Sequence, residues 1–140
     1  MTVFARGRRA FSIAAILMIL TAVAHTMGSI APPGDPEHVA LVKGMSALRI
    51  PVGLGMEPSL FDIYLDLTFT MSVCLAGLGL LNLVLAGSEG TPAVVLRRVS
   101  WVNLAWMAAL VVLAVVFHIA PMLISGVLIM AVIGVSLTGR

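Results

Sequence analysis

Charge is scarce in this chain. Eight Lys or Arg and six Asp or Glu are all that 140 residues carry, about 10% against the quarter usual in a soluble domain. A water-facing surface cannot be built from so little. Aromatic residues are few as well, five Phe, two Trp and one Tyr, and no basic patch is interleaved with them, which excludes nucleic acid as a partner. A single cysteine, Cys74, excludes an intramolecular disulfide and reads as a small packed hydrophobe. Close-spaced His or Cys ligand motifs are missing too. A metal or haem would have to be assembled from separate helices, for example by His25 and His118, so neither metal nor cofactor is assigned. The nine methionines suit core filling better than copper binding. No internal repeat or low-complexity segment is evident.

What is present is apolar. At 61% hydrophobic residues and a mean hydropathy of +1.16, the chain is solvated by lipid. Uncharged runs cover 10–34, 67–88 and 99–139, the last long enough for two crossings if it turns at His118-Ile119-Ala120-Pro121. A span takes roughly 20 apolar residues, and backbone groups in hydrocarbon must pair within their own segment. The expected fold is therefore all-α: one four-transmembrane-helix bundle over 1–140, with helices at about 10–30, 61–86, 93–117 and 121–137.

Basic residues orient it. With four crossings, Arg6, Arg8, Arg9, Arg97, Arg98 and Arg140 share one side, and only Lys43 and Arg49 lie opposite. The positive-inside rule makes both termini cytoplasmic and residues 31–60 extracytoplasmic. The competing reading of Arg8-Arg9 plus an apolar run is a cleaved export signal; the length of the run, His25 within it, and the lack of a soluble domain after it favour a retained span.

Between the first two spans, Asp35 suits an N-cap, Pro36 the first helical position and Glu37 the positive helix end. The segment 36–48 puts Val39, Val42, Met45 and Leu48 on one side; too short to cross, it reads as an amphipathic helix over the outer mouth of the bundle. Residues 50–56, with one proline and two glycines, form a hinge or a packed connector. Ser59-x-x-Asp62 then matches a capping box opening the second span. Gly77, Gly79, Ser125, Gly126 and Gly134 suit close helix approach.

His25-Thr26-Met27-Gly28, Pro32-Pro33-Gly34-Asp35-Pro36, Met45 to Arg49 and Phe61-Asp62-Ile63-Tyr64 together resemble, in order and spacing, a family of small bacterial four-helix membrane proteins of mostly unassigned function. The resemblance covers about half the chain and implies four helices and the bacterial inner membrane, but no reaction. Where that family has a glycine-rich run after its Asp-x-Tyr, this sequence has Asp66 and Thr68.

Asp62, Asp66 and Thr70 fall on one helical face. A carboxylate at a span's centre costs about 2.5 to 3.5 kcal/mol on insertion scales, less near an end. Topology puts His25, His118, Asp62, Tyr64 and Asp66 at one depth, with Glu37, His38 and Arg49 in the overlying segment. Two carboxylates one turn apart can hold one proton between them and so offer an acid and a base. The expectation is a cofactor-independent isomerase, hydrolase or cyclase acting on a lipophilic small molecule. Asp66, Asp62, His25 and His118 would be catalytic, and Tyr64, Thr70, His38 and Arg49 would bind substrate. Each has a plainer account: Asp62 as a capping residue, the histidines as helix-helix hydrogen-bonders, Tyr64 as an interface aromatic, Asp66 as a salt-bridge partner of Arg49 or a histidine. The alternative function is a non-catalytic lipid or small-molecule binding protein, or an accessory subunit; four helices leave little room for transport unless the chain forms a homo-oligomer.

Overall fold

A computed structural model describes residues 3–138, with side chains from Gly7 onward. Arg140 and the side chain of Arg6, both counted in the charge argument, lie outside what is described. Five helices follow one another: α1 (Val3–Ile30), α2 (Pro36–Ala47), α3 (Leu60–Gly87), α4 (Ala93–Val116) and α5 (Ala120–Thr138). Among the described residues there is no strand, only two isolated bridges in the α2–α3 connection. Four helices are long and apolar enough to cross a membrane, over Gly7–Ile30, Leu60–Gly87, Ala93–Val116 and Ala120–Thr138. This is a multi-pass, all-helical membrane protein.

The largest departure from expectation is at the start of α1, which begins at Val3, not residue 10. Arginine is a good helix former, so the basic segment ends the apolar run without ending the helix. The other bounds move by a residue or so. Leu48 turns extended at φ −80°, ψ 112°, closing α2 at Ala47, and Phe117 caps α4 after Val116.

Packing divides the chain into two compact units: residues up to Thr21 with those from Leu75 onward, and the intervening Ala22–Cys74. In the first unit, Phe11, Ala86 and Leu96 join α1, α3 and α4 in one apolar cluster. α4 packs along α5. Gly79 of α3 lies so close to α1 that a Cβ there would stand 2.8 Å from the Ala15 carbonyl oxygen and 2.7 Å from Ile19 Cγ1. Gly126 of α5 meets Val111 Cγ2 at 2.6 Å in the same sense. Gly77 and Gly134, expected to serve likewise, face open space instead. Helical spacing alone does not say which glycine meets a neighbour.

Polar residues are turned inward in this unit. Asn82 and Asn103 are each 1% exposed and Ser100 2%, while Val84, Val102, Leu80 and Ile124 are outside. That inversion suits a helix surface wetted by lipid, where close packing and interhelical polar contacts hold helices together. Asn82 Nδ2 donates to Met18 Sδ at 3.6 Å, and the Ser100 and Ser136 hydroxyls meet at 3.1 Å.

Candidate functional site

The second unit contains the end of α1, α2, the α2–α3 connection and the first half of α3. Its local structure is set by short-range bonds. Asp35 caps α2, accepting from the His38 amide at 2.7 Å, with Pro36 next and Glu37 in the first turn. Ser59 and Asp62 form the capping box of α3: the Asp62 carboxylate accepts from the Ser59 amide at 2.9 Å and hydroxyl at 2.7 Å, while Ser59 Oγ accepts from the Asp62 amide at 3.1 Å.

Between these helices the chain folds back on itself as a narrow hairpin. Ile50 N–H donates to Pro58 O, Val52 N–H to Met56 O, and Leu60 N–H to Leu48 O. Gly53, Leu54 and Gly55 turn its tip with φ of 94°, 51° and 74°. Leu54 is 97% exposed there, in a backbone region that suits its glycine neighbours better. Arg49 braces the base of the hairpin through Glu57 O at 3.4 Å and Asp62 at 4.0 Å. The pairing expected with Asp66 is made with Asp62. Both side chains are well exposed, so the ion pair itself contributes little.

A cavity of about 500 Å³ lies between the end of α1, α2 and the start of α3. Leu41, Val42 and Met45 of α2 face it from one side; Phe61, Tyr64 and Leu65 of α3 line the other, and Gly28 to Pro33 complete the wall. Phe61 and Tyr64 lie nearly parallel, their centroids 6.1 Å apart. The wall is mostly apolar, with Ser29, His38 and Tyr64 among its residues; the Ser29 hydroxyl is engaged within α1, donating to His25 O at 2.8 Å. α2 thus borders a cavity, through His38, Leu41, Val42 and Met45; Val42 and Met45 are half-buried, while His38 and Leu41, like Val39, are exposed.

The residues singled out in the sequence are distributed as follows. Tyr64 and His38 line the cavity. Asp62 and Arg49 hold the helix start and the hairpin. Asp66 and Thr70 are exposed on α3 outside the cavity wall. His25 is half-buried on α1, its carbonyl accepting from Ser29 Oγ at 2.8 Å. His118 belongs to the first unit and ends α4: its backbone is left-handed at φ 57°, its amide donates to Val115 O, and the Ile119 amide reaches back to Ala114 O at 2.8 Å. That is the bonding of a Schellman cap with histidine where glycine is usual. Among the described residues no three His, Cys, Asp or Glu side chains come together as a metal site.

Leu41, Phe61, Leu65 and Ser29 were not among the expected site residues. The spacing Leu41–Met45 and Phe61–Leu65 marks one face of each helix, but which face meets the other is a tertiary fact.

No family model, characterised protein or solved structure matches this chain.

Proposed function

We propose that the chain is a membrane-embedded binding protein for a lipophilic small molecule or lipid, held in the cavity beneath α2. The observation that carries this reading is the cavity itself: about 500 Å³ of mostly apolar wall, with His38 and Tyr64 among the residues that line it. That size and composition suit a small-molecule site, apolar groups supplying burial and a few polar groups orientation. The resemblance to small bacterial four-helix proteins and the clustering of arginines support a cytoplasmic-membrane protein with both termini inside and the cavity in the outer half.

Acid-base turnover is the second reading, and one observation favours it: Tyr64 and His38, two groups able to exchange protons, share the cavity wall. Asp66 stands outside that wall, so the pair that would carry an isomerisation or ring opening is His38 and Tyr64, not Asp66 and Asp62.

Both readings are tested with the purified protein in neutral detergent and a fluorescent fatty acyl probe. Val42→Trp fills the cavity from α2 and is expected to lower probe affinity by about 5- to 150-fold, the effect of overpacking by about 1–3 kcal/mol. Asp66→Asn is expected to change it by no more than about twofold, as at a surface position that touches nothing involved. Loss of binding in Asp66→Asn with Val42→Trp unaffected overturns the assignment of the cavity. Conversion of lipid extract components by the wild type, abolished in Tyr64→Phe while probe binding persists, establishes the enzymatic reading over the first.

A further inference from the structure

A second cleft, of about 370 Å³, opens in the first unit at the arginine-bearing ends of the helices. It is bounded by Arg8 and Phe11 of α1, Ala93, Val94, Leu96 and Arg97 of α4, and the end of α5. Three sources of positive potential meet there. Two are guanidinium groups, Arg8 and Arg97, neither of which makes an ion pair among the described residues. The third is the N-terminus of α4, which begins after Pro92 with no side-chain cap and no acid in its first turn. A helix start of this kind favours an anion, and Arg97 in its second turn is disfavoured unless an anion accompanies it.

One Nη of the Arg8 guanidinium donates to Ser88 O at 2.6 Å, which holds the arginine beside the turn that precedes α4. Ser136 Oγ donates to Ile133 O at 2.6 Å, so Ser100 donates to Ser136. The serine pair therefore ties α4 to α5 at the cleft and offers no free donor. Recognition falls to the arginines and the α4 amides, while Phe11, Leu96 and Val94 give the cleft an apolar wall.

We infer that this cleft binds the phosphate of an anionic phospholipid, Arg8 and Arg97 meeting the phosphate and the apolar wall taking the first carbons of an acyl chain. Phosphate monoanions free in solution share the headgroup chemistry, but not the use of that wall. Basic pockets between transmembrane helices at a membrane face bind anionic headgroups in the same manner. The inference is independent of the cavity beneath α2.

Native mass spectrometry of the full chain in neutral detergent, titrated with dioleoylphosphatidylglycerol, dioleoylphosphatidylcholine or inorganic phosphate, tests it. Phosphatidylglycerol is expected to bind at least about tenfold more tightly than phosphatidylcholine, and Arg97→Gln to lose about tenfold of that affinity, as for a charge-assisted hydrogen bond. Arg97→Lys, which keeps the charge and the fold, is expected to lose less than Arg97→Gln. Arg98→Gln removes the adjacent charge outside the cleft and is expected to change affinity by less than about twofold. Equal losses in Arg97→Gln and Arg98→Gln overturn the site in favour of general attraction. Equal binding of the two lipids, or inorganic phosphate displacing phosphatidylglycerol at equal concentration, overturns the lipid assignment.

Discussion

His118 takes a left-handed backbone at the end of α4 because two amides must find carbonyls there, its own at Val115 and that of Ile119 at Ala114. Any residue with a Cβ is strained in that geometry; His is tolerated, glycine is free of the strain, and a β-branched residue fits worst. His118→Gly is therefore expected to keep or raise thermal stability, by up to about 1 kcal/mol, and His118→Val to lower it by about 1–2 kcal/mol. Thermal unfolding of the two variants in the same detergent checks the ordering; the reverse order denies the cap its role. The Ser59-Asp62 and Asp35-Pro36 helix starts are legible in sequence because every partner lies within three residues. The His118 cap is harder to read, since its signature residue is normally glycine. Asp66 shows the remaining limit. Its position in a span is plain from the chain, but whether it faces a cavity or the surroundings depends on how α3 is rotated, which no spacing within α3 states.

Glycine spacing on the helices separates position from consequence in the same manner. Gly77 and Gly79 stand two residues apart on α3, yet only Gly79 is held against the α1 backbone. A methyl at Gly79 would press on the Ala15 carbonyl, which can move only if α1 moves, so Gly79→Ala is expected to destabilise by about 1–3 kcal/mol. Gly77→Ala adds a methyl to open space and removes a helix-weakening glycine, which favours stability by about 0.5–1 kcal/mol. Gly126→Ala falls between them, because the atom it meets is a γ-methyl of Val111 and not backbone. Unfolding midpoints in one detergent should rank Gly77→Ala, Gly126→Ala, Gly79→Ala from most to least stable. A Gly79→Ala variant as stable as wild type would mean that α1 and α3 are not held at this distance in the membrane protein. The four apolar helices are legible from run length alone, because lipid imposes a minimum span on any crossing helix. The cavity wall is not, since it is assembled from α1, α2 and α3, and no single element displays it.

At the scale of the whole molecule, four crossing helices impose a parity. With each of the four helices crossing once, the hairpin tip between α2 and α3 and the turn between α3 and α4 would fall on opposite sides of the membrane. The proposed orientation then rests on charge: Arg8, Arg9, Arg97 and Arg98 flank the start of α1 and the α3–α4 turn, whereas only Lys43 and Arg49 belong to the α1–α3 connection. Leu54, 97% exposed at the hairpin tip, and Gly90, exposed in the α3–α4 turn, are suitable reporters. Cys74 is exposed on α3 and must first be replaced, as Cys74→Ser. In that background, Leu54→Cys is expected to react with a membrane-impermeant maleimide in intact spheroplasts of a bacterial expression host, and Gly90→Cys only after permeabilisation. The opposite pattern reverses the orientation and places the cavity beneath α2 on the cytoplasmic side. Labelling of both positions in intact spheroplasts breaks the parity itself, because it requires α3 not to cross. Parity comes from helix length and orientation from charge, so the two outcomes separate the apolar argument from the electrostatic one.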